Sequence, residues 1–169
     1  MNDLKKSNLF SVRSICLGGV IAALYAALTI VLAPISYGPI QCRVSEALTI
    51  LPVLFPQAIP GLTVGCLIAN LFGSATPWDV VFGTLATLIA ALGTRYFRHI
   101  TVSKWRVPWV SALCPVVANG VIVGLVLHFT LGFPLFVTML EVAAGEVAAL
   151  VIGIVLLLAL RRVNAERLI

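Results

Sequence analysis

The sequence predicts an all-α integral membrane protein: a bundle of six transmembrane helices with both termini in the cytoplasm and a short second helix. Two observations predict this class. First, 61% of the 169 residues are hydrophobic, only 10% are charged, and the mean hydropathy is +1.13. A soluble chain of this size could not bury that much apolar surface. Second, ten of the eleven lysines and arginines fall in three clusters that flank apolar stretches.

The basic clusters predict the orientation of the chain and the parity of its spans. They comprise Lys5, Lys6 and Arg13, then Arg95, Arg98, Lys104 and Arg106, then Arg161, Arg162 and Arg167. Because basic loops stay on the cytoplasmic side, an even number of spans must separate each pair of clusters. These cations suit anionic lipid headgroups. They form no basic stripe interleaved with aromatic residues, so nucleic-acid binding is not predicted.

The individual helices follow from the apolar runs and the turn residues between them. The run from Ile15 to Ala33 is too long for a signal-peptide core and predicts the first helix. Breaks at 34–39, 55–57, 73–77 and 131–134 contain the proline and glycine residues typical of turns. The predicted helices, in one membrane domain, are about 14–33, 44–55, 57–73, 78–95, 107–130 and 134–160.

The second of these helices is short for a membrane span. An α-helix over 44–55 would rise only about 18 Å at 1.5 Å per residue, whereas the hydrocarbon core is about 30 Å thick. The segment can cross only if its flanking loop is itself sunk in protein. A re-entrant segment is the alternative.

The polar residues inside the predicted bundle gather toward its outer half. They are Arg43, Glu46, Asn70, Asp79, Asn119, His128, Glu141 and Glu146. Ionisable groups within a bilayer are costly unless paired or hydrated, and they usually mark a ligand or ion path. Their one-sided distribution predicts a pocket open to the outside and closed at its floor, whereas a channel would need polar groups at every depth.

Several of these residues also have simpler structural explanations. Arg43 and Glu46 are spaced i, i+3 and can pair with each other, while Asp79 suits a helix N-terminus. Asn70 and Asn119 can bridge helices, and His128 is predicted to be interfacial. Glu146 is the strongest functional candidate, because it is deep and has no basic residue within one turn of it.

The first helix carries two overlapping Ala-x-x-x-Ala pairs, Ala22 with Ala26 and Ala23 with Ala27. Small residues at this spacing let another helix approach closely, either inside the bundle or in a partner protein. The chain lacks a P-loop, HExxH, GxSxG and a nucleotide fingerprint, so an enzyme is not predicted. The four cysteines are dispersed without a CxxC pair, so neither a metal site nor a disulfide framework is expected.

Four stretches of the chain resemble a known family. They are YGPIQCRVSEALTILPVL from Tyr37, AIPG from Ala58, GCLIANL from Gly65 and DVVFGTLATL from Asp79. They are similar to the queuosine-precursor transporter family (QueT), whose members are substrate-binding S components of energy-coupling factor (ECF) transporters. The similarity runs from the first helix to about Arg95, is densest over 37–72 and is thinner after Arg106.

The resemblance implies an S component of an ECF-type ABC importer in the plasma membrane of a prokaryote. Such a protein would bind a 7-deazaguanine base or queuine at the outer face. It would deliver the base inward by toppling, together with one membrane coupling subunit and two ATPase subunits that use the ATP. This chain itself would bind no cofactor. The resemblance also implies a contact surface for the coupling subunit on the first helix, at Ala22, Ala23, Ala26 and Ala27.

A hypothesis for the site follows from the chemistry of the base. The ring N1–H and the exocyclic amino group of a 7-deazaguanine are adjacent donors that one carboxylate can accept together. Glu146 is the first candidate for this role and Glu141 the second, although about 140° of helix rotation separates them. Asn70 or Asn119 would read the carbonyl edge.

The rest of the predicted site concerns the substituent of the base and the outer loop. A second acid among Glu46, Asp79 and Glu141 would pair with a cationic side arm. The loop 35–46 would cap the ligand, with Tyr37 as a stacking ring.

Two alternatives in function remain open from the sequence. An S component for another vitamin-like metabolite would share the fold, and Arg43 alone would suit an anionic ligand. A self-sufficient proton-coupled transporter would use Glu146 as its proton-binding acid and need no ATPase. A purely structural membrane protein would leave the one-sided polar cluster unexplained.

Overall fold

The structure is a computed structural model that describes residues 11–37, 42–73, 76–100 and 107–163. Five residues of the basic clusters that predict the orientation lie outside these ranges, namely Lys5, Lys6, Lys104, Arg106 and Arg167. The middle of the predicted cap, residues 38–41, also lies outside them.

The described residues form helices and no strands, which confirms the all-helical class. The elements are α1 (Val12–Val31), α2 (Ala33–Ser36), the 3₁₀-helix η1 (Val44–Val53), α3 (Ala58–Gly73), α4 (Pro77–Tyr96), the 3₁₀-turn η2 (Phe97–His99), α5 (Trp109–Leu131) and α6 (Leu135–Arg162). Four spans are long and apolar enough to cross a membrane within the described chain: α1, α4 continued by η2, α5 and α6. η1 and α3 are shorter. Six crossings and cytoplasmic termini therefore stay predictions.

Local sequence signals account for several helix ends. Ser11 caps α1 by accepting a hydrogen bond from the Ser14 N–H at 3.2 Å, and Thr76 caps α4 by accepting one from the Asp79 N–H at 3.3 Å. Proline at the first position of α4 suits the fixed backbone angle there. Gly132, at φ 72°, ends α5 in the left-handed conformation that glycine tolerates best.

The short helix η1 lies at the centre of the bundle. It packs against all five of the longer helices α1, α3, α4, α5 and α6, and eight of its ten residues are buried. Arg95 of α4 donates hydrogen bonds to the carbonyls of Pro52 and Val53, at 3.0 and 3.3 Å, near the end of η1. The surrounding helices thus shield a segment whose backbone bonding is irregular, which is the condition for such a segment at membrane depth.

η1 runs antiparallel to α1 over most of the length of α1. Thr29 donates to the Ser45 hydroxyl at 2.6 Å, and Gln57 donates to the Ser14 hydroxyl at 3.2 Å. The twelve residues from Ser45 to Gln57 therefore cover the same distance as the fifteen residues from Ser14 to Thr29 of α1, which is about 22 Å. A 3₁₀-helix makes this reach possible, because it rises about 2.0 Å per residue.

α3 then returns toward the first end of the bundle. The Tyr37 hydroxyl, which follows α1 and α2, donates to the carbonyl of Ala69 near the end of α3 at 2.8 Å. The segment 44–57 thus passes from one end of the bundle to the other, and it does not turn back on the side where it began.

The pairing of α1 with α3 depends on small residues. A Cβ at Gly61 would lie 2.6 Å from the Gly18 carbonyl oxygen, and one at Gly65 would lie 2.7 Å from that of Ala22. Ala22 and Ala26 are buried, whereas Ala23 and Ala27 are exposed. One small-residue face of α1 is therefore used inside the bundle, and the other faces outward.

Candidate substrate-binding site

The candidate site is built around η1, which carries Arg43 at its start and Glu46 in its first turn. A 3₁₀-helix repeats every three residues, so Arg43, Glu46 and Thr49 lie in one row along η1. All three are buried, with 7%, 2% and 2% of their surface exposed. The position of the 3₁₀-helix in the middle of the bundle therefore places two charged side chains among five helices.

The carboxylate of Glu46 is held by neutral donors from two neighbouring helices. Its Oε1 accepts hydrogen bonds from the hydroxyl of Tyr25 on α1 and from Thr87 Oγ1 on α4, the latter at 3.1 Å. Its Oε2 is buried without a hydrogen-bond partner among the described residues. Glu46 thus presents one oxygen that no described donor satisfies.

Arg43 lies near Glu46, but its described contacts are elsewhere. Its guanidinium carbon lies over the ring of Tyr37, 5.3 Å from the ring centroid, in a cation–π arrangement. Its Nε has no hydrogen-bond partner within the described ranges. Arg43 and Glu46 interact electrostatically, as the i, i+3 spacing allows, and each also contacts groups from other elements.

Glu146 of α6 is the second buried acid of the site. Its Oε1 accepts a hydrogen bond from Asn119 Nδ2 of α5 at 2.9 Å, and 5% of the residue is exposed. Its Oε2 is buried without a partner in the described part of the chain. The amide of Asn119 lies between the carboxylates of Glu46 and Glu146, which interact electrostatically.

A small cavity of about 10 Å³ separates the two acids from the core below them. Its lining includes Glu46, Thr49, Pro115, Glu146 and Gly153. This volume has room for about one water molecule. A bicyclic base of the kind that the sequence resemblance implies would not fit this volume.

The packing beneath the cavity is aliphatic. It consists of Ile50, Val53, Leu54, Ala112, Leu150 and Leu157, and we call this group the apolar floor. The floor lies on the side of the acids that leads toward Gln57 and Ser14. That the pocket is closed on this side and open on the other stays a prediction.

Asn70 and Tyr37 lie on the other side of the acids, near the ends of α3 and α2. Asn70 Nδ2 donates to the Asp79 carbonyl oxygen at 3.4 Å, while its Oδ1 is buried without a partner among the residues described. Burial raises the pKa of the Tyr37 phenol above its ordinary value, so the hydroxyl remains a donor at neutral pH. Tyr37 is fixed by the bond to Ala69 described above.

Not all the predicted site residues come together. Arg43, Glu46, Asn119 and Glu146 form one interacting group, and Asn70 and Tyr37 border it. Glu141 is partly exposed on another face of α6. The Asp79 carboxylate accepts from Thr76 Oγ1 at 3.0 Å, a contact at the start of α4 that suits its expected role at a helix terminus.

His128 lies apart from the acids, whereas three side chains that were not predicted lie beside them. The ring of His128 contacts the Phe133 carbonyl at 2.6 Å at the end of α5, and its interfacial position stays a prediction. Sequence reasoning missed Tyr25, Thr87 and Cys66, whose Sγ accepts from Thr87 Oγ1 at 3.2 Å and from Asn70 Nδ2 at 3.4 Å. Tyr25 gave a usable signal, because it is a phenol in the middle of an apolar helix. Thr87 and Cys66 gave no such signal. A threonine in a helix commonly bonds to its own backbone, and a free cysteine commonly packs as a small apolar group.

The arrangement is chemically suited to a ligand that donates hydrogen bonds. Three of the open polar atoms are acceptors, namely Glu46 Oε2, Glu146 Oε2 and Asn70 Oδ1, and Arg43 Nε is a donor. Each unsatisfied buried polar group costs about 1–3 kcal/mol. Among the described residues, no three His, Cys, Asp or Glu side chains are grouped as metal ligands.

The fold and the site define a multi-pass membrane protein that encloses a polar site within a helical bundle. The family model described as QueT transporter matches residues 15–162, and the chain belongs to this family. It is also 35% identical, over 161 residues, to a protein of the bacterium Lactococcus lactis subsp. cremoris (strain MG1363) named Queuosine precursor transporter QueT. That alignment covers 89% of this chain and 91% of the relative. No solved structure matches the chain significantly.

These comparisons confirm the resemblance drawn from the four sequence stretches. They also identify the chain as a transporter-family protein of a prokaryotic plasma membrane, because the family, its bacterial member and the apolar helices agree.

Proposed function

We propose that this protein is the substrate-capturing S component of an ECF-type importer for a queuosine precursor, a 7-deazaguanine base or queuine. The observation that carries the proposal is the buried group of acceptors without described partners around Glu46 and Glu146. The name of the Lactococcus relative supports the choice of substrate. The protein performs no chemistry on the base and acts by binding and release.

The recognition step follows from the site geometry. Glu146, held by Asn119, accepts the ring N1–H and the exocyclic amino group, since a carboxylate can accept two parallel donors in one plane. Asn70 and the Arg43–Tyr37 pair border the site on its outer side and close over the base. When the base binds, the acceptor atoms that have no described partner gain hydrogen bonds from its N–H groups.

The delivery step requires more than this chain. The core on the far side of the acids includes the aliphatic side chains of the apolar floor. The bundle must therefore reorient as a body, driven by a coupling subunit and two ATPase subunits that use ATP. Ala23 and Ala27 are the part of the predicted partner surface that is exposed, so the contact is assigned to that face.

A titration of the purified protein in detergent tests the capture step. The ligands are queuine, the nitrile and aminomethyl 7-deazaguanines, and guanine as control. We expect nanomolar to micromolar binding of at least one deazaguanine and much weaker binding of guanine. Binding of none of the deazaguanines would contradict the proposed substrate.

The variant Glu146→Gln tests the assigned residue. Loss of the charge-assisted bonds should weaken binding roughly tenfold or more, which corresponds to about 1.4 kcal/mol. Glu141→Gln is the matched control, because Glu141 is on the same helix but partly exposed. Unchanged affinity of the Glu146 variant would remove this residue from the site.

A second candidate function is a self-sufficient proton-coupled transporter. The observation that favours it is the buried Glu146 carboxyl near the middle of α6, a position from which a proton could be carried. The two candidates differ in their energy source.

A further inference from the structure

Arg95 of α4 reaches the last turn of η1, at the end of that helix away from the buried acids. It belongs to the second of the basic clusters, which predict the orientation of the chain. Its side chain is half-buried, and Nη1 donates to the carbonyl oxygens of Pro52 at 3.0 Å and Val53 at 3.3 Å. A residue that serves only to orient the chain needs no such contacts inside the bundle.

The two carbonyls need a side-chain donor because of Pro56. A carbonyl accepts from the N–H three residues on in a 3₁₀-helix and four residues on in an α-helix. Pro56 has no N–H, so Val53 loses its 3₁₀ donor and Pro52 its α-helical donor. The Phe55 N–H, the 3₁₀ donor for Pro52, bonds instead to the Leu51 carbonyl at 2.8 Å. The sequence thus leaves two acceptors at the end of η1, and the guanidinium binds both.

The guanidinium suits this end of η1 in charge as well as in hydrogen bonding. The carbonyl end of a helix carries a partial negative charge, and a cation there is favourable. Backbone carbonyls at membrane depth have no water to bond, so each needs a donor from the protein. Arg95 therefore fixes the end of η1 to α4.

This end of η1 is directly continuous with the candidate site. Pro52 belongs to the same row along η1 as Glu46 and Thr49, because three residues separate successive members. It follows Glu46 by six residues, which is about 12 Å at the rise of a 3₁₀-helix. Between them, Thr49 lines the cavity and donates to the Glu46 carbonyl at 2.5 Å. A shift of η1 at its Pro52 end thus moves groups that line the cavity.

We infer that Arg95 is a positioning residue of the binding site. By holding Pro52 and Val53, it keeps η1 at the position along the bundle in which Glu46 and Thr49 line the cavity. Displacement of the guanidinium loosens the site without any change in the residues around the ligand. The inference rests on the proposed function for its ligand, and it adds to the site a residue from the opposite end of η1.

Two native cysteines report on the two ends of this connection. Cys66 of α3 is fully buried beside the acids, and Thr87 Oγ1 lies 3.2 Å from its Sγ and 3.1 Å from Glu46 Oε1. Cys114 of α5 lies close to the anchoring arginine, since a Cβ at Gly93 would be 3.0 Å from its Sγ. Alkylation of Cys66 therefore measures loosening of the site, and alkylation of Cys114 measures loosening around the arginine.

The test combines thiol alkylation with ligand titration on the full chain in detergent. N-ethylmaleimide labelling is followed for each cysteine by mass spectrometry, with the exposed Cys16 as the reference for full reactivity. Arg95→Met keeps a long side chain and removes the donors. We expect this variant to bind the deazaguanine roughly tenfold more weakly, because the lost hydrogen bonds free the end of η1. Without ligand, Cys66 should be alkylated about tenfold faster than in the wild type, since local opening exposes it.

Two further variants separate the contact with η1 from the charge. Arg98→Met is the matched control, because Arg98 lies in the same basic cluster and donates to His99 Nε2 at 2.9 Å. Its affinity and its Cys66 alkylation should match those of the wild type. Arg95→Lys should recover part of the lost affinity, because an ammonium still donates hydrogen bonds but lacks the fixed fork of a guanidinium.

The outcomes separate this inference from a local structural role. A folded Arg95→Met protein in which Cys66 is alkylated at the wild-type rate would overturn the inference. Faster alkylation of Cys114 alone would do the same, because the arginine would then support only its own surroundings. If this variant does not fold, Arg95→Gln, which keeps an amide donor without the charge, takes its place. A smaller rise at Cys66 is then expected, and no rise would overturn the inference.

The two readouts also distinguish this inference from the proposed function. Absence of binding of every deazaguanine to the wild-type protein would contradict the proposed substrate. The alkylation of Cys66 would still decide whether Arg95 controls the site, because it is measured without ligand.

Discussion

At the scale of single residues, the site shows how a membrane protein keeps acids buried. Glu46 and Glu146 each receive neutral hydrogen bonds at one oxygen, from Tyr25 and Thr87 in one case and Asn119 in the other. These donors fix the orientation of the two carboxyl groups. The acids are thus held in place by the bundle and remain able to bind.

Tyr25→Phe tests the positioning of Glu46. Phenylalanine fills the same buried space but removes one donor, and a hydrogen bond to a charged group contributes about 1.5–3 kcal/mol. We expect the protein to fold and to bind the deazaguanine about three- to tenfold more weakly, because Glu46 loses a donor that fixes its orientation. Calorimetric titration measures the loss of affinity.

Tyr96→Phe provides the control for this variant, because Tyr96 is 79% exposed at the end of α4. Its affinities should match those of the wild type. Unchanged affinity in Tyr25→Phe would show that the hydroxyl does not act on the site through Glu46.

Sequence reasoning reached part of this site because charge inside an apolar helix is conspicuous. Glu146 could be selected on that basis, and Arg43 and Asn119 because polar side chains are rare in such apolar surroundings. The link between Glu46 and Glu146 could not be predicted, since it depends on how 100 residues of intervening chain fold. Thr87 could not be distinguished from other helix threonines for the same reason.

At the scale of the elements, η1 explains how so short a segment can run nearly the length of α1. With the rise of an α-helix, the segment 44–55 would be too short to cross the hydrocarbon core of a membrane. The spacing Arg43, Glu46, Thr49, Pro52 has a period of three, which is that of a 3₁₀-helix. Pro52 also prevents an α-helical hydrogen bond at its own nitrogen. These signals are weaker than the general preference for α-helix, so they did not decide the prediction.

The close approach of η1 and α6 gives a prediction about Gly153. A Cβ at this position would lie 2.8 Å from the Ala47 carbonyl oxygen, next to Glu46. Gly153→Ala should push α6 away from η1, because overpacking typically costs about 1–3 kcal/mol. We expect a lower melting temperature and weaker base binding, measured by thermal unfolding and titration in detergent.

Gly19→Ala is the matched control for Gly153→Ala. A Cβ at Gly19 would meet nothing within 4 Å, so stability and affinity should stay unchanged. Normal binding by the Gly153 variant would show that the spacing between η1 and α6 does not control the site.

The outward small-residue face of α1 gives a prediction about the partner. Ala23 is exposed while its neighbours Ala22 and Ala26 are buried against the bundle. Ala23→Leu should block co-purification with the coupling subunit and leave base binding intact, because a larger side chain keeps a second helix at a distance. Ala26→Leu is less informative, since it would also disturb the internal packing.

Ala148→Leu on α6 is the control for the partner surface, because Ala148 is also an exposed alanine on an apolar helix. It should co-purify normally. Normal co-purification of the Ala23 variant would count against a partner surface at this position.

At the scale of the whole molecule, the question is what drives transport. If the chain is an S component, cells that express it without a coupling subunit and ATPases should not accumulate a labelled deazaguanine. Uptake should appear when the complete module is present and should persist when an uncoupler removes the proton gradient but ATP is maintained. Uptake by the chain alone that collapses with the uncoupler would instead indicate a proton-coupled transporter.

The overall architecture was more predictable than the site because hydropathy is a property of long stretches. The turn at 131–134 and the breaks near Pro34, Pro56 and Pro77 could be located from proline and glycine alone. The central position of η1 could not, because it depends on five helices packing around it.

The apolar floor has a consequence for the cell as well as for the substrate. A continuous row of polar groups through the bundle would let protons or sodium ions leak down their gradients whenever the site opened. The aliphatic side chains of the apolar floor would interrupt such a row of polar groups. If the site opens to one side of the membrane as predicted, the floor would lower the leak of ions, so that the cell could keep many copies of the protein without losing its membrane potential.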